Sequence, residues 1–249
     1  VNLKMKKNKN RVWRALFGGA AACALALSFG FAAAKGGDDA KEKKPLQLVG
    51  VTLEEALIGI EGKYKRVKSV KADFKQIYYS QTTMQTTEGK GSMVFAKPNL
   101  MRWDYDGSPK KSFAYDGKTF YYADYEKKKL SKTKLISQKD LVLALEFLSG
   151  RGALSERFKL KLISESDFEK DIPTAGKIIL ELAPKDEGEQ IAAMYLIINP
   201  LVYEVDEAVI YDLVGNRNRI LFSAMRFDEK QSANFFKIET PKGWTVEEW

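Results

Sequence analysis

Asp104, Asp106 and Asp116 fall in one short stretch of the chain. Carboxylates held close together can divide the roles of acid and base and hydrolyse a glycosidic bond. All three also lie near Gly, Ser or Pro, where Asp commonly hydrogen-bonds the backbone of its own turn. The rest of the inventory offers them little help. The chain has no histidine and one cysteine, Cys23. That removes the usual general base, the Ser-His-Asp arrangements and most zinc sites. No phosphate-binding loop or dinucleotide glycine fingerprint follows an apolar run. These residues predict no catalytic group, no metal and no cofactor. They describe a binder, with a carboxylate-dependent hydrolase as the reading held in reserve.

Rings are the side chains in good supply. Phe74 to Tyr125 holds 12 of the chain's 29 aromatic residues. Four segments there alternate apolar with polar residues: 92–96, 100–105, 112–115 and 119–123. Lys97-Pro98-Asn99, Asp106-Gly107-Ser108-Pro109 and Asp116-Gly117 separate them. Alternation fits half-buried strands, and these interruptions fit the turns of an antiparallel meander. One parity of the strands gathers Phe74, Met93, Phe95, Met101, Trp103, Phe113 and Tyr115 on a common face. Such a face either packs as ordinary core or lines a cavity. Parity assigns residues to a face without saying which face looks inward.

The remaining elements must bend and cover that sheet. Thr52 can cap a helix over about 53–68, with Glu54 and Glu55 in its first turn and Leu53, Leu57, Ile60 and Tyr64 at helical spacing. Val70–Ser80 and Glu88–Ala96 read as strands on either side of a polar hairpin loop. Gly89 and Gly91 indicate a bulge or a close backbone approach. Lys127–Lys134 reads as an exposed edge strand guarded by its lysines. A short apolar helix is expected at 138–149, with Leu141, Leu145 and Leu148 on one stripe. Further strands are expected at 158–164, 176–182, 194–198, 204–212, 219–227 and 235–238. The predicted fold is mainly β with α, roughly ten or eleven antiparallel strands curled into an incomplete barrel and covered by helices.

The chain opens with Lys4, Lys6, Lys7, Lys9, Arg11 and Arg14, and then runs uncharged from Ala15 to Ala34. A basic head, an apolar middle and a small-residue end describe a secretory signal, with cleavage expected near Ala34. Residues 35–50 read as a polar linker and 51–249 as one domain. The net charge of +8 loses six basic groups with the signal, which leaves 35 basic against 33 acidic groups, or +2. A nucleic-acid partner loses its electrostatic support. Cleavage would also remove Cys23, leaving a mature chain without a disulfide.

Several pieces together resemble the outer-membrane lipoprotein carrier family, LolA. They are Phe74-Lys75-Gln76, the run Gly91 to Pro98, Met101-Arg102-Trp103 with Tyr105 and Pro109, and Ser112 to Lys118 with Tyr122. The leucine-rich 141–148, Asp212 with Gly215-Asn216, and Phe235 before Pro241-Lys242-Gly243 continue the series. The likeness runs from about Leu53 to Val246. It implies a half-open barrel with a helical lid and an apolar cavity for the acyl chains of lipoproteins. It also implies a periplasmic monomer that takes acylated lipoproteins from an inner-membrane ATP-driven extractor to an outer-membrane acceptor. Phe74, Met93, Phe95, Met101, Trp103, Phe113 and Tyr115 would line the cavity. Lys97, Leu141, Leu145 and Leu148 would belong to the lid. The family commonly has Arg where Lys97 stands, an Arg associated with hydrogen bonds that hold the lid helix shut. Lys lacks the planar fork and is a poorer partner for several carbonyls at once. A lipid-binding sensor of envelope stress and a membrane-anchored lipoprotein acceptor are the alternatives of the same fold.

Overall fold

The computed structural model describes residues 50–134, 153–186 and 191–248. The expected signal, the linker as far as residue 49 and the expected helix at 138–149, with Leu141, Leu145 and Leu148, lie outside the described residues.

Helix α1 spans Leu53–Arg66. Its start is a reciprocal cap. Thr52 Oγ1 accepts from the Glu55 backbone N–H at 3.2 Å, and the Glu55 carboxylate accepts from the Thr52 N–H at 2.8 Å. Glu54 and Glu55 lie in the first turn, and Lys63, Lys65 and Arg66 in the last, so both charge signs suit the helix dipole. Ala56, Ile60 and Tyr64, four residues apart, form its buried ridge.

Twelve strands build a single sheet. They are β1 (Ser69–Ser80), β2 (Gln85–Ala96), β3 (Leu100–Asp106), β4 (Lys111–Tyr115), β5 (Phe120–Asp124) and β6 (Lys129–Thr133), then β7 (Phe158–Ile163), β8 (Ile178–Pro184), β9 (Ile191–Ile198), β10 (Val205–Asp212), β11 (Arg217–Phe227) and β12 (Thr245–Glu248). Their spatial order is β12-β6-β5-β4-β3-β2-β1-β11-β10-β9-β8-β7. Two hairpin series therefore meet where β1 pairs with β11, with Phe74 opposite Phe222. The ends of the order, β12 and β7, are not joined by any ladder among the described residues. The sheet curls without closing, which makes it an incomplete barrel.

Three expectations are corrected. The strands number twelve, because Thr245–Glu248 adds one that four residues of weak alternation did not announce. This β12 pairs with β6 in parallel, so the lysine-rich strand is covered and is not the edge; the Lys129–Glu247 ion pair at 2.6 Å stitches the two. Residues 235–238 are not a strand. Ala233–Phe236 forms a 3-10 turn, and Phe236 is fully buried. Of the two readings offered for Gly89 and Gly91, the close approach is the one observed, since the β1–β2 ladder keeps its register past both. A Cβ on Gly91 would stand 1.9 Å from the Asp104 carbonyl oxygen. Register shifts lie instead in β1 against β11, between Lys71 and Asp73, and in β10 against β9, between Val205 and Glu207 and between Tyr211 and Asp212.

Each face of the sheet has its own core. On one side, α1 joins Val70, Phe74, Met93, Trp103, Leu180, Leu196 and their neighbours in a single cluster drawn from β1–β5 and β7–β11, whereas the other side carries two separate clusters. Side chains converge on the inside of a curled sheet, so the α1 side is the concave one. On the convex side, the connection between β7 and β8 lays Phe168 and Ile172 over Ile179, Ile197 and Val209. The segment after β11 brings Ile238 onto Ala114, Ala123 and Leu130.

Candidate functional site

The three carboxylates considered first do not form a catalytic pair. Asp104 accepts from Ser112 Oγ at 2.6 Å and from Arg102 Nε at 2.8 Å. Asp116 accepts from the N–H groups of Lys118 and Thr119 and from the Tyr121 hydroxyl. That is turn chemistry. Asp106 is exposed at the end of β3. Among the described residues, no three His, Cys, Asp or Glu side chains are placed to hold a metal ion.

The ring-bearing parity of β1–β4 is coherent in space. Across the ladders, Met93 faces Trp103, Phe95 faces Met101, Trp103 faces Phe113, and Met101 faces Tyr115. Directly opposed residues of an antiparallel pair point to the same side. Phe74, Met93, Phe95, Met101, Trp103 and Phe113 are all buried in the concave cluster, with Tyr115 partly buried against it. The rings touch in series. Phe74 lies 4.7 Å from Trp103 and 4.8 Å from Tyr105, and Phe113 stacks on Tyr122 at 5.0 Å. Burial, aided by Asp124, pushes the Tyr122 hydroxyl up to about 12. This face is apolar and adaptable, with two thioethers among flat rings.

Lys97 stands where β2 turns into β3. Its Nζ donates to the carbonyls of Tyr64 and Lys65, each at 2.8 Å. A cation is thus placed at the negative end of α1, on carbonyls that have no partner within the helix. Partial burial lowers the Lys97 pKa, and Asp228 opposes that shift. A primary amine with rotatable donors reaches two carbonyls here despite lacking the guanidinium fork.

Sequence reasoning missed the other ties on α1. The Tyr203 ring lies against Gly59, where a Cβ would meet it at 2.1 Å. Lys63 pairs with Glu204 at 2.5 Å and lies over the Phe227 ring at 4.2 Å. The buried Tyr64 hydroxyl accepts from the Val205 N–H at 3.1 Å. Glu61 accepts from the Leu154 N–H at 2.8 Å, at the start of the short helix α2 (Leu154–Arg157). Gly59 in a helix was the one signal available: such a glycine costs roughly 1 kcal/mol against Ala and calls for a packing reason.

A second missed feature lies inside the sheet. The Tyr105 hydroxyl donates to Gln76 Oε1 at 3.0 Å, and Gln76 Nε2 donates to Asn218 Oδ1 at 2.9 Å. Gln76 shares its parity with Val70, Ala72 and Phe74, so its place on the apolar face was readable. Asn218 lies in the polar run Arg217-Asn218-Arg219 and gave no such sign.

The family model described as outer membrane lipoprotein carrier protein LolA matches residues 65–239. Similar curated proteins include the outer-membrane lipoprotein carrier protein of Pseudomonas fluorescens, 28% identical over 72% of this chain and 82% of that protein. The carrier of Azotobacter vinelandii is 26% identical over 73% of this chain and 82% of its own length. Among solved structures, a LolA superfamily protein from Nitrosomonas europaea aligns at 10% identity over 76% of this chain and 99% of its own, with a TM-score of 0.41.

Proposed function

The chain belongs to the outer-membrane lipoprotein carrier family, and from that premise we propose that it is a periplasmic carrier of acylated lipoproteins. It shelters their acyl chains on the concave face and moves them from the inner to the outer membrane. It acts by binding and catalyses no reaction. The observation that carries this reading is the shared concave face of Phe74, Met93, Phe95, Met101, Trp103 and Phe113 beneath a helix held on by separable polar ties.

The physical need is plain. A buried methylene is worth ~0.8 kcal/mol, so two or three long acyl chains hold a lipoprotein in its membrane by tens of kcal/mol. Crossing water unassisted would be far too slow. A face of rings and thioethers replaces most of the lost environment and fits chains of varied shape. α1 must yield for such a ligand to enter. Direction then comes from the partners, an ATP-driven extractor at the inner membrane and an acceptor at the outer membrane, each favouring a different position of the cover.

The test is to purify the exported protein and identify co-purifying lipid by mass spectrometry, comparing wild type with Trp103→Asp. The wild type is expected to carry acylated lipoprotein and the variant to have lost it while remaining folded by circular dichroism. A wild type free of acyl lipid, and unable to take a lipoprotein out of membrane vesicles, would refute the reading.

A further inference from the structure

The concave face is not uniformly apolar. Gln76 is 8% exposed, Asn218 3% and Tyr105 7%, and their side chains form one hydrogen-bonded row. The ladder register keeps the row on the concave side, because Gln76 is opposite Ile220 and Asn218 is opposite both Tyr78 and Ile210. Room is made for it by a missing side chain. A Cβ on Gly89 would stand 3.2 Å from the Tyr105 ring and 3.8 Å from Gln76 Oε1.

Donors and acceptors in the row can be followed from one end to the other. Tyr105 gives its proton to Gln76 Oε1, which leaves Gln76 Nε2 to donate to Asn218 Oδ1. Asn218 Nδ2 comes last. Among the described residues it is the buried side-chain nitrogen or oxygen that has no hydrogen-bond partner. An orphaned buried donor costs about 1–3 kcal/mol in general, so a site that keeps one is normally completed by something else.

We infer that Asn218, held by Gln76 and Tyr105, is a polar subsite that donates to the ester carbonyl where an acyl chain joins its glyceryl head. This rests on the carrier reading above and says which part of the lipid lies where. A neutral acceptor fits better than an anion. Lys111 is turned onto the rings, 4.2 Å from the centre of Tyr105 and 5.7 Å from that of Phe113, and the chain neighbours of Asn218, Arg217 and Arg219, are paired with carboxylates. What the row offers a ligand is an uncharged amide N–H. Asn218 is the second residue of β11, just after the hairpin from β10. The contacts of Lys97 and Glu204 with α1 lie by the opposite ends of the strands, past Ala96 and before Val205. The glyceryl junction would lie at the Asn218 end, with the hydrocarbon running among Phe74, Trp103 and Met93 towards α1.

The test compares three probes on the full chain: dioleoylglycerol, its dialkyl ether analogue without carbonyls, and oleate. Wild type should bind the diester about fivefold more tightly than the diether, the effect of one neutral hydrogen bond. Asn218→Leu should bind both alike, with diether affinity kept. Because that variant could fold poorly, the side-chain amide resonance of Asn218 in the wild type is the second readout; it should shift with diester and not with diether. Equal binding of diester and diether by the wild type, with an unmoved amide, overturns the subsite and leaves the carrier reading standing. An amide that responds to oleate alone overturns the ester assignment. If neither glyceryl lipid binds, the carrier reading falls and takes the subsite with it.

Discussion

The two faces of this sheet are covered by different means. On the convex side the covers are lengths of chain continuous with the strands they lie on. Residues 164–177 bring Phe168 and Ile172 down onto Ile179, Ile197 and Val209, and Arg217 holds that strap by reaching Glu169 and Asp171. The segment after β11 is fixed by Arg102, which donates to the Phe235 carbonyl at 2.9 Å and lies 4.9 Å from the centre of its ring. On the concave side the described cover is α1. It places a ridge of three buried residues on the core, with Leu53 and Leu57 packed against the same cluster, and is held besides at points: Lys97, Glu204, Tyr203, Val205 and Leu154. Lifting either cover exposes core, since α1 buries Ala56, Ile60 and Tyr64; α1 differs in how many of its remaining contacts are polar, and such contacts exchange for water at little net cost. On the carrier reading proposed above, the concave cover is the one that must yield.

The largest expected effect is on the convex side. Phe236, in the 3-10 turn of the segment after β11, is fully buried. Phe236→Ala should cost about 3–5 kcal/mol of global stability. Urea unfolding measures this, and the strand and α1 signals should be lost together. If α1 alone loosened in this variant, the contrast between the faces would be false.

Next comes Gly59→Ala. Helix propensity alone predicts a gain of about 1 kcal/mol. The Tyr203 ring reverses the sign, since the new methyl would stand 2.1 Å from it. Overpacking of this kind costs about 1–3 kcal/mol. Hydrogen exchange should quicken in α1 while β8 to β10 stay protected. An α1 protected more strongly than in the wild type would show that Tyr203 simply swings aside.

Such local contacts separate what the sequence revealed from what it withheld. The Thr52 cap, with Glu55 in the first turn, and the meander through Asp116-Gly117 were legible because each depends on neighbours in the chain. The shared face of Phe74, Met93 and Trp103 was legible because strand parity is strict. Its concave direction was not, since parity is blind to curvature. The pairing of β12 with β6 joins residues more than a hundred positions apart, and four residues of Thr-Val-Glu-Glu carry too little pattern to announce it. The row from Tyr105 to Asn218 escaped notice for the same reason: three ordinary polar residues become a site only when β3, β1 and β11 are brought side by side.

Lys97 provides a smaller and more selective test. Its two bonds hold the end of α1 from a partly solvated position, so Lys97→Met should cost on the order of 1 kcal/mol. The loss should appear as faster exchange near Tyr64 and Lys65 and as easier uptake of acyl lipid. Lys97→Arg can supply both bonds from one planar group and should slow that exchange. If neither substitution changed exchange or lipid transfer, Lys97 would be removed from the account of the cover.

The smallest effect is acid dependence, and it sets one cover against the other. The Glu55 pKa is lowered from its usual 4.5, first by the bond from the Thr52 backbone N–H and then by its hydroxyl. The Asp171 pKa is lowered from its usual 3.8, chiefly by the hydrogen bond from Arg217. A carboxyl whose folded pKa lies below its unfolded value adds stability above the unfolded value and loses it as pH falls through the folded one. The contribution of Glu55 to α1 therefore begins to fade below 4.5, and that of Asp171 to the convex strap only below 3.8. Between those two values α1 should loosen first. Protection factors corrected for intrinsic exchange should fall in the first turn of α1 while those of β10 hold. Glu55→Gln should flatten the α1 profile without altering the strap. Glu55 is fully exposed, so salt and water weaken its bonds and the change will be slight. Its order relative to the strap is what matters. A strap that loosened at higher pH than α1 would mean that the convex cover is the more easily lifted of the two.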